Sequence, residues 1–133
     1  MKPIIKDIKK AQTLDKEFYL EEAYFQKAKD LIFSSSWQWI GQQRQFNLDI
    51  NNCHPFTLLD TYLDEPLLLS KNKQDEIKCL SNVCTHRGFL LMDHPCSTNT
   101  IRCKYHGRCF RLNGSFKSMP GFEEAVCLQF PGF

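Results

Sequence analysis

The side chains of this sequence best suited to binding a metal gather in two short runs, Cys84-Thr85-His86-Arg87-Gly88 and Cys103-Lys104-Tyr105-His106-Gly107. One residue separates Cys84 from His86, two separate Cys103 from His106, and sixteen lie between His86 and Cys103. Two thiolates and two imidazoles at this spacing make a four-ligand metal site. A structural zinc ion takes the same donor set, but zinc modules open on cysteines about two to four residues apart rather than on Cys-x-His. Chance burial of the four residues in a core gives no reason for a doubled Cys/His pair with a glycine close behind each histidine. Gly88 and Gly107 suit such a site, because a backbone without a side chain turns sharply and brings its amides near a bound centre.

The pairing of CTHRG with CKYHG resembles the Rieske motif. That resemblance implies a 2Fe-2S cluster with Cys84 and Cys103 on one iron and His86 and His106 on the other. Two neutral imidazoles in place of two thiolates remove two negative charges, so the potential rises relative to an all-cysteine cluster. The expected outcome is a one-electron relay. His86 and His106, on the outer iron, are then the exit for the electron, and their free ring nitrogens would couple reduction to proton uptake.

The rest of the chain must position these loops. Its 133 residues make one domain with a core of moderate size. A net charge of +2 offers no argument for nucleic acid or a membrane surface as partner. The start, MKPIIKDIKK, has lysines but no apolar run of secretory length, and no stretch is long and uncharged enough for a transmembrane helix. Seven cysteines without an export signal fit the cytoplasm, where thiols stay reduced and serve metals. Cys53, Cys79, Cys96, Cys109 and Cys127 are read as unpaired thiols. His54, alone between Cys53 and Pro55, is read as a solvated loop histidine, and His94-Pro95-Cys96 as part of a connecting loop whose polar crest runs from Ser97 to Thr100.

Leu20, Tyr24, Ala28, Leu31 and Ile32 recur at helical steps and predict a helix from about Leu20 to Phe33, stopped by Ser34, Ser35 and Ser36. The period then changes to two, and Trp37 with Trp39 predicts a first strand before Gly41. Further strands are expected near Phe46 to Ile50, Phe56 to Leu63, Pro66 to Ser70 and Glu76 to Asn82, and another from Ile101. Asn113-Gly114 predicts a hairpin with a primed turn between Arg108 to Leu112 and Ser115 to Lys117, and Val126 to Phe130 reads as a last strand. Short strands at this spacing predict a mainly β chain, an antiparallel β-sandwich or barrel carrying an N-terminal α-helix.

The helix, the phrase IFSSSWQWIG, the strand into NVCTHRG, the CKYHG loop and the LNGS turn resemble, in that order, the alpha subunit of the Rieske non-haem iron (aromatic-ring hydroxylating) oxygenases. The likeness covers most of residues 13–122. It implies an N-terminal extension over 1–36 and a Rieske domain over 37–133, with a small cluster-binding subdomain at about 82–112. In such an enzyme electrons pass from a flavin reductase or a ferredoxin to the cluster. They go on to a mononuclear iron in the catalytic domain of the same or a neighbouring subunit. That iron needs two histidines and a carboxylate. After His106 the sequence has no histidine, and before Cys84 only His54, so the catalytic domain and its iron are expected to be missing from this chain. A stand-alone Rieske ferredoxin remains the alternative.

Respiratory Rieske proteins differ at four places. Where they carry an extra cysteine in each loop this chain has Phe89 and Tyr105, and where their hydroxyls bond the cluster sulfurs it has Arg108 and Phe110. Fewer such donors imply a potential low in the Rieske range. Arg108 also replaces the tryptophan usual in oxygenase subunits, and is expected to bear on docking of the electron donor.

Overall fold

The computed structural model describes residues 5–122. The chain divides into two compact units, Met1–Trp39 and Ile40–Phe133. In the first, α1 (Glu17–Leu20) is a single turn and α2 (Glu22–Leu31) runs ten residues. The helix expected from Leu20 is thus broken at Glu21, whose extended backbone (φ −90°, ψ 127°) separates the two. Glu22 in the first turn of α2 and Lys29 in its last complement the helix dipole. Ser34 donates its hydroxyl to the carbonyl of Asp30, and Phe33–Ser35 winds one further 3-10 turn before Ser36 goes extended. Neither helix buries a residue among those described. The strand expected at Trp37 and Trp39 does not form. Both indoles are exposed, and a two-residue period makes a strand only where another strand supplies ladder partners.

The second unit opens on another departure. Gln43–Phe46 is a 3-10 turn held by reciprocal bonds between Gln42 and Gln45, and Asn47 (φ 47°) ends it where a strand was expected to begin. The amides of Ile50 and Asn51 both donate to the carbonyl of Asn47, closing tight turns in place of a ladder. Strands β1 (Cys53–Leu58), β2 (Glu65–Lys71) and β3 (Ile77–Ser81) then form an antiparallel sheet in the order β1-β2-β3. Its register pairs Cys53 with Ser70 and Leu67 with Ser81. β1 lies earlier than expected because residues 59–64 are its hairpin loop. Leu59, Thr61 and Asp64 take positive φ there, and the Thr61 amide donates to Asp64 Oδ1 at 2.6 Å.

A second antiparallel sheet, in the order β4-β5-β6, comprises β4 (Ile101–Arg102), β5 (Cys109–Phe110) and β6 (Phe116–Ser118). The hairpin at Asn113-Gly114 is present but its turn is not primed. Asn113 keeps negative φ, Gly114 has φ 85°, and the Arg111 amide donates to the Ser115 carbonyl around a three-residue loop. The strand expected at Val126 to Phe130 lies outside the described residues. The fold is therefore mainly β with open antiparallel sheets, and among the described residues neither closes into a barrel.

Both sheets feed one core. Leu68 and Leu80 from the first meet Ile101 and Phe110 from the second, around Cys53, Cys84, Leu91, Met92 and Cys103. Leu68 and Ile101 are fully buried, each contributing on the order of 1.5–3 kcal/mol. No helix among the described residues is long and apolar enough to cross a membrane.

Candidate metal centre

One loop is built twice. In the first, the Cys84 amide donates to the Phe89 carbonyl at 2.8 Å and the Gly88 amide to the Cys84 carbonyl at 2.9 Å. In the second, the Cys103 amide donates to the Arg108 carbonyl at 2.8 Å and the Gly107 amide to the Cys103 carbonyl at 3.1 Å. Each loop runs five residues from cysteine to glycine, and Gly88 and Gly107 share left-handed φ values of 67° and 72°. Such a turn costs a glycine little and any other residue about 1–2 kcal/mol. The stems are alike too. Val83 bridges Leu90 below the first loop, and Arg102 pairs with Cys109 below the second.

The four side chains singled out in the sequence come together in two pairs. Cys84 and Cys103 are each 2% exposed and belong to one buried cluster at the top of the core. His86 and His106 are only half-buried, with ring centroids 4.9 Å apart and planes at 68°. Burial pushes the Cys84 thiol up, and the neighbouring Cys103 adds to this, while the His86 amide and the Arg108 cation pull it down. Partial burial lowers the His86 pKa, helped by His106, Arg87 and Arg108, which favours the neutral imidazole that a metal takes.

This arrangement tests the donor set. Among the described residues no group of three or more His, Cys, Asp or Glu side chains is placed to hold a single metal ion. A thiol pair below and an imidazole pair above instead suit two metal atoms with two protein donors each. The residues present therefore fit a bridged di-iron centre.

Several neighbours were not legible as part of the site. Asn82 is buried beneath the first loop, where its side chain donates to the Met92 carbonyl at 2.7 Å and accepts from the Met92 amide at 3.0 Å. Its own carbonyl accepts from Leu91 at 2.9 Å, so one residue ties both ends of that loop segment. Tyr105 stacks on His106, and Phe89 from the first loop meets Tyr105. Arg108, expected to bear on docking of a partner, is 2% exposed and lies over the rings of Phe110 and Phe116, so it presents nothing to a docking protein.

The remaining histidines stay apart from the centre. His54 is not on a loop but in β1, with its ring edge-on to Phe46 at 5.2 Å. His94 is exposed and bonds Asp93, which also takes an ion pair from Lys104 at 2.9 Å. The segment around Cys96 is anchored to β1 by paired backbone bonds between Cys53 and Cys96. All the described cysteines are free thiols.

Two small antiparallel sheets that carry matched Cys/His loops define a metal-binding domain of the iron-sulfur, electron-transferring class. The sequence matches the Rieske 2Fe-2S domain over residues 36–129, and the chain belongs to that family. It is 31% identical over 121 residues to the biphenyl 2,3-dioxygenase subunit alpha of Rhodococcus jostii (strain RHA1), covering 90% of this chain and 24% of that protein. It is 26% identical over 106 residues to the carnitine monooxygenase oxygenase subunit of Escherichia coli (strain K12), covering 79% of this chain and 27% of that protein. The crystal structure of a quaternary ammonium Rieske monooxygenase superposes with a TM-score of 0.71 at 25% identity, covering 88% of this chain and 32% of that one. The chain thus spans about a quarter of the length of the curated relatives it matches.

Proposed function

We propose that this chain is the electron-transfer portion of a ring-hydroxylating-type Rieske oxygenase, with Cys84 and Cys103 holding one iron of the cluster and His86 and His106 the other. When bound, such a cluster supplies a reservoir for a single electron. The chain's own residues prepare the place. Both thiols must give up their protons to bind iron, and the His86 amide and the Arg108 charge favour the Cys84 thiolate against the burial that opposes it. The half-buried imidazoles face outward from the core and form the exit for the electron, while the core beneath the thiols excludes water.

The observation that carries this reading is the repeated loop. The same pair of backbone bonds sets a buried thiol and a half-buried imidazole in each. In the whole enzyme the donor would be a flavin reductase or ferredoxin. The acceptor would be a mononuclear iron in the catalytic domain of the same or a neighbouring subunit, and the setting the cytoplasm. A structure of a quaternary ammonium Rieske monooxygenase is described in terms of inter-subunit electron transfer, which supports the second arrangement.

Iron and acid-labile sulfide analysis of the purified protein tests the reading directly. Equal iron and sulfide with a visible colour are expected. Colourless protein with stoichiometric zinc would replace it with a structural metal site.

A further inference from the structure

Cys53 and Cys96 stand directly opposite each other across an antiparallel bridge, each donating its amide to the other's carbonyl at 3.1 Å. Residues that exchange both bonds in this way have Cα atoms about 5.5 Å apart and side chains on the same face of the ladder. A disulfide spans Cα separations of about 4.4–6.8 Å. Both cysteines are free thiols: that of Cys53 donates to the Ser70 hydroxyl at 3.8 Å, and that of Cys96 to Met92 Sδ at 3.7 Å. Cys53 is fully buried, whereas Cys96 is partly exposed. In the other ladders among the described residues no cysteine faces another. Cys79 is opposite Leu69, and Cys109 is opposite Arg102 and Ser118.

We propose that Cys53 and Cys96 are a site of thiol modification, joined in a disulfide by exchange with a low-molecular-weight disulfide. The partly exposed Cys96 thiolate attacks one sulfur of that reagent, forming a mixed disulfide and releasing the first small thiolate. Cys53 is the resolving thiol. Its sulfur attacks that of Cys96, the Cys53–Cys96 bond forms, and the second small thiolate leaves. Both protein thiols are oxidised, the small disulfide is reduced to its thiols, and the protons of the cysteines pass to the leaving thiolates. Burial holds the Cys53 thiol above its ordinary pKa, with Cys96 adding to this, so Cys53 is the poorer first nucleophile. None of the four loop donors takes part, so the exchange needs no metal. The bond ties the start of β1 to the segment that joins the two loops. The competing account is packing, in which two small thiols merely fill space beside the core.

Treating the purified 133-residue chain with oxidised glutathione separates the two, with N-ethylmaleimide to trap free thiols and non-reducing peptide mass mapping to read the products. Uptake of glutathione by the exposed Cys79 marks that exchange has run. Loss of the Cys53 and Cys96 thiols together, as a peptide linking the two, is expected. Cys53→Ala should leave Cys96 glutathionylated, and Cys96→Ala should leave Cys53 a free thiol. Wild type in which both thiols stay reduced while Cys79 is modified would overturn the proposal, in favour of packing. A mixed disulfide that persists on Cys96 of wild type, or a link from either thiol to any other cysteine, would overturn it as well. The wild-type map decides even where an alanine variant fails to fold.

Discussion

Tyr105 lies nearly flat on His106, ring centroids 3.8 Å apart and planes 30° from parallel, while Phe89 of the opposite loop meets the same tyrosine at 5.6 Å. The two loops are therefore joined at their tips by aromatic contact as well as at their bases by the core. An aromatic pair is worth about 0.5–1.5 kcal/mol beyond its burial. A double-mutant cycle of Phe89→Leu and Tyr105→Leu in urea unfolding should give a coupling energy in that range. A coupling indistinguishable from zero would show that the loops are held from below alone.

The matched glycines should not respond equally to alanine. A Cβ at Gly88 meets nothing within 4 Å, so Gly88→Ala pays only for its left-handed backbone, about 1–2 kcal/mol. At Gly107 the added carbon comes within 3.1 Å of Pro120 and 3.3 Å of Arg102. Gly107→Ala should therefore cost more than Gly88→Ala, as read from urea midpoints, and the reverse order would contradict the loop geometry.

Asn82 satisfies the backbone of Met92 in both directions from a buried position. Asn82→Ala strands a buried amide and carbonyl, at about 1–3 kcal/mol for each group that water does not reach. A lower unfolding midpoint and faster hydrogen exchange at the Met92 amide are expected. Unchanged protection at that amide would refute the role.

Lys71 carries a pH signature. Its ammonium bonds Asp49 at 2.6 Å and Asp75 at 2.9 Å, and these two partners raise its pKa above the ordinary 10.5. Because the folded value is the higher one, the stabilisation is fully present below pH 10.5 and is lost as pH climbs through the folded pKa. Wild type should thus exceed Lys71→Met in stability at neutral pH, with the gap closing only in strong alkali. A gap constant from pH 7 to about 12 would attribute the difference to packing of the lysine stem.

Replacing an outer imidazole by a thiolate, as in His106→Cys, should keep iron bound but lower the midpoint potential, on the order of 100 mV or more given the gap between Rieske and all-cysteine clusters. Cys84→Ser should instead lose iron and sulfide. Retention of a wild-type potential in His106→Cys would remove His106 from the ligand set.

Much of the centre was legible because it is local. The two cysteine-to-glycine runs carry their own turn chemistry, and the backbone bonds that shape each loop close within six residues. β2 and β3 fall where an apolar run bounded by turn residues placed them. Phe46, Leu48 and Ile50 alternate as a strand would, yet only Leu48 is buried and the segment forms turns. Leucines at 58, 59 and 63 look continuous with β1, but the side chain of Asp64 caps a reversal there.

What the amino-acid order determined by itself was the donor set and the pair of turns that present it, since both follow from residue type and from bonds between near neighbours. Only the tertiary structure decided that both thiols are buried in one cluster, that Asn82 ties the first loop, and that Arg108 is buried between Phe110 and Phe116. Those outcomes depend on which surfaces meet across two sheets, and apolar burial, being non-directional, is settled by the whole fold rather than by any stretch of chain.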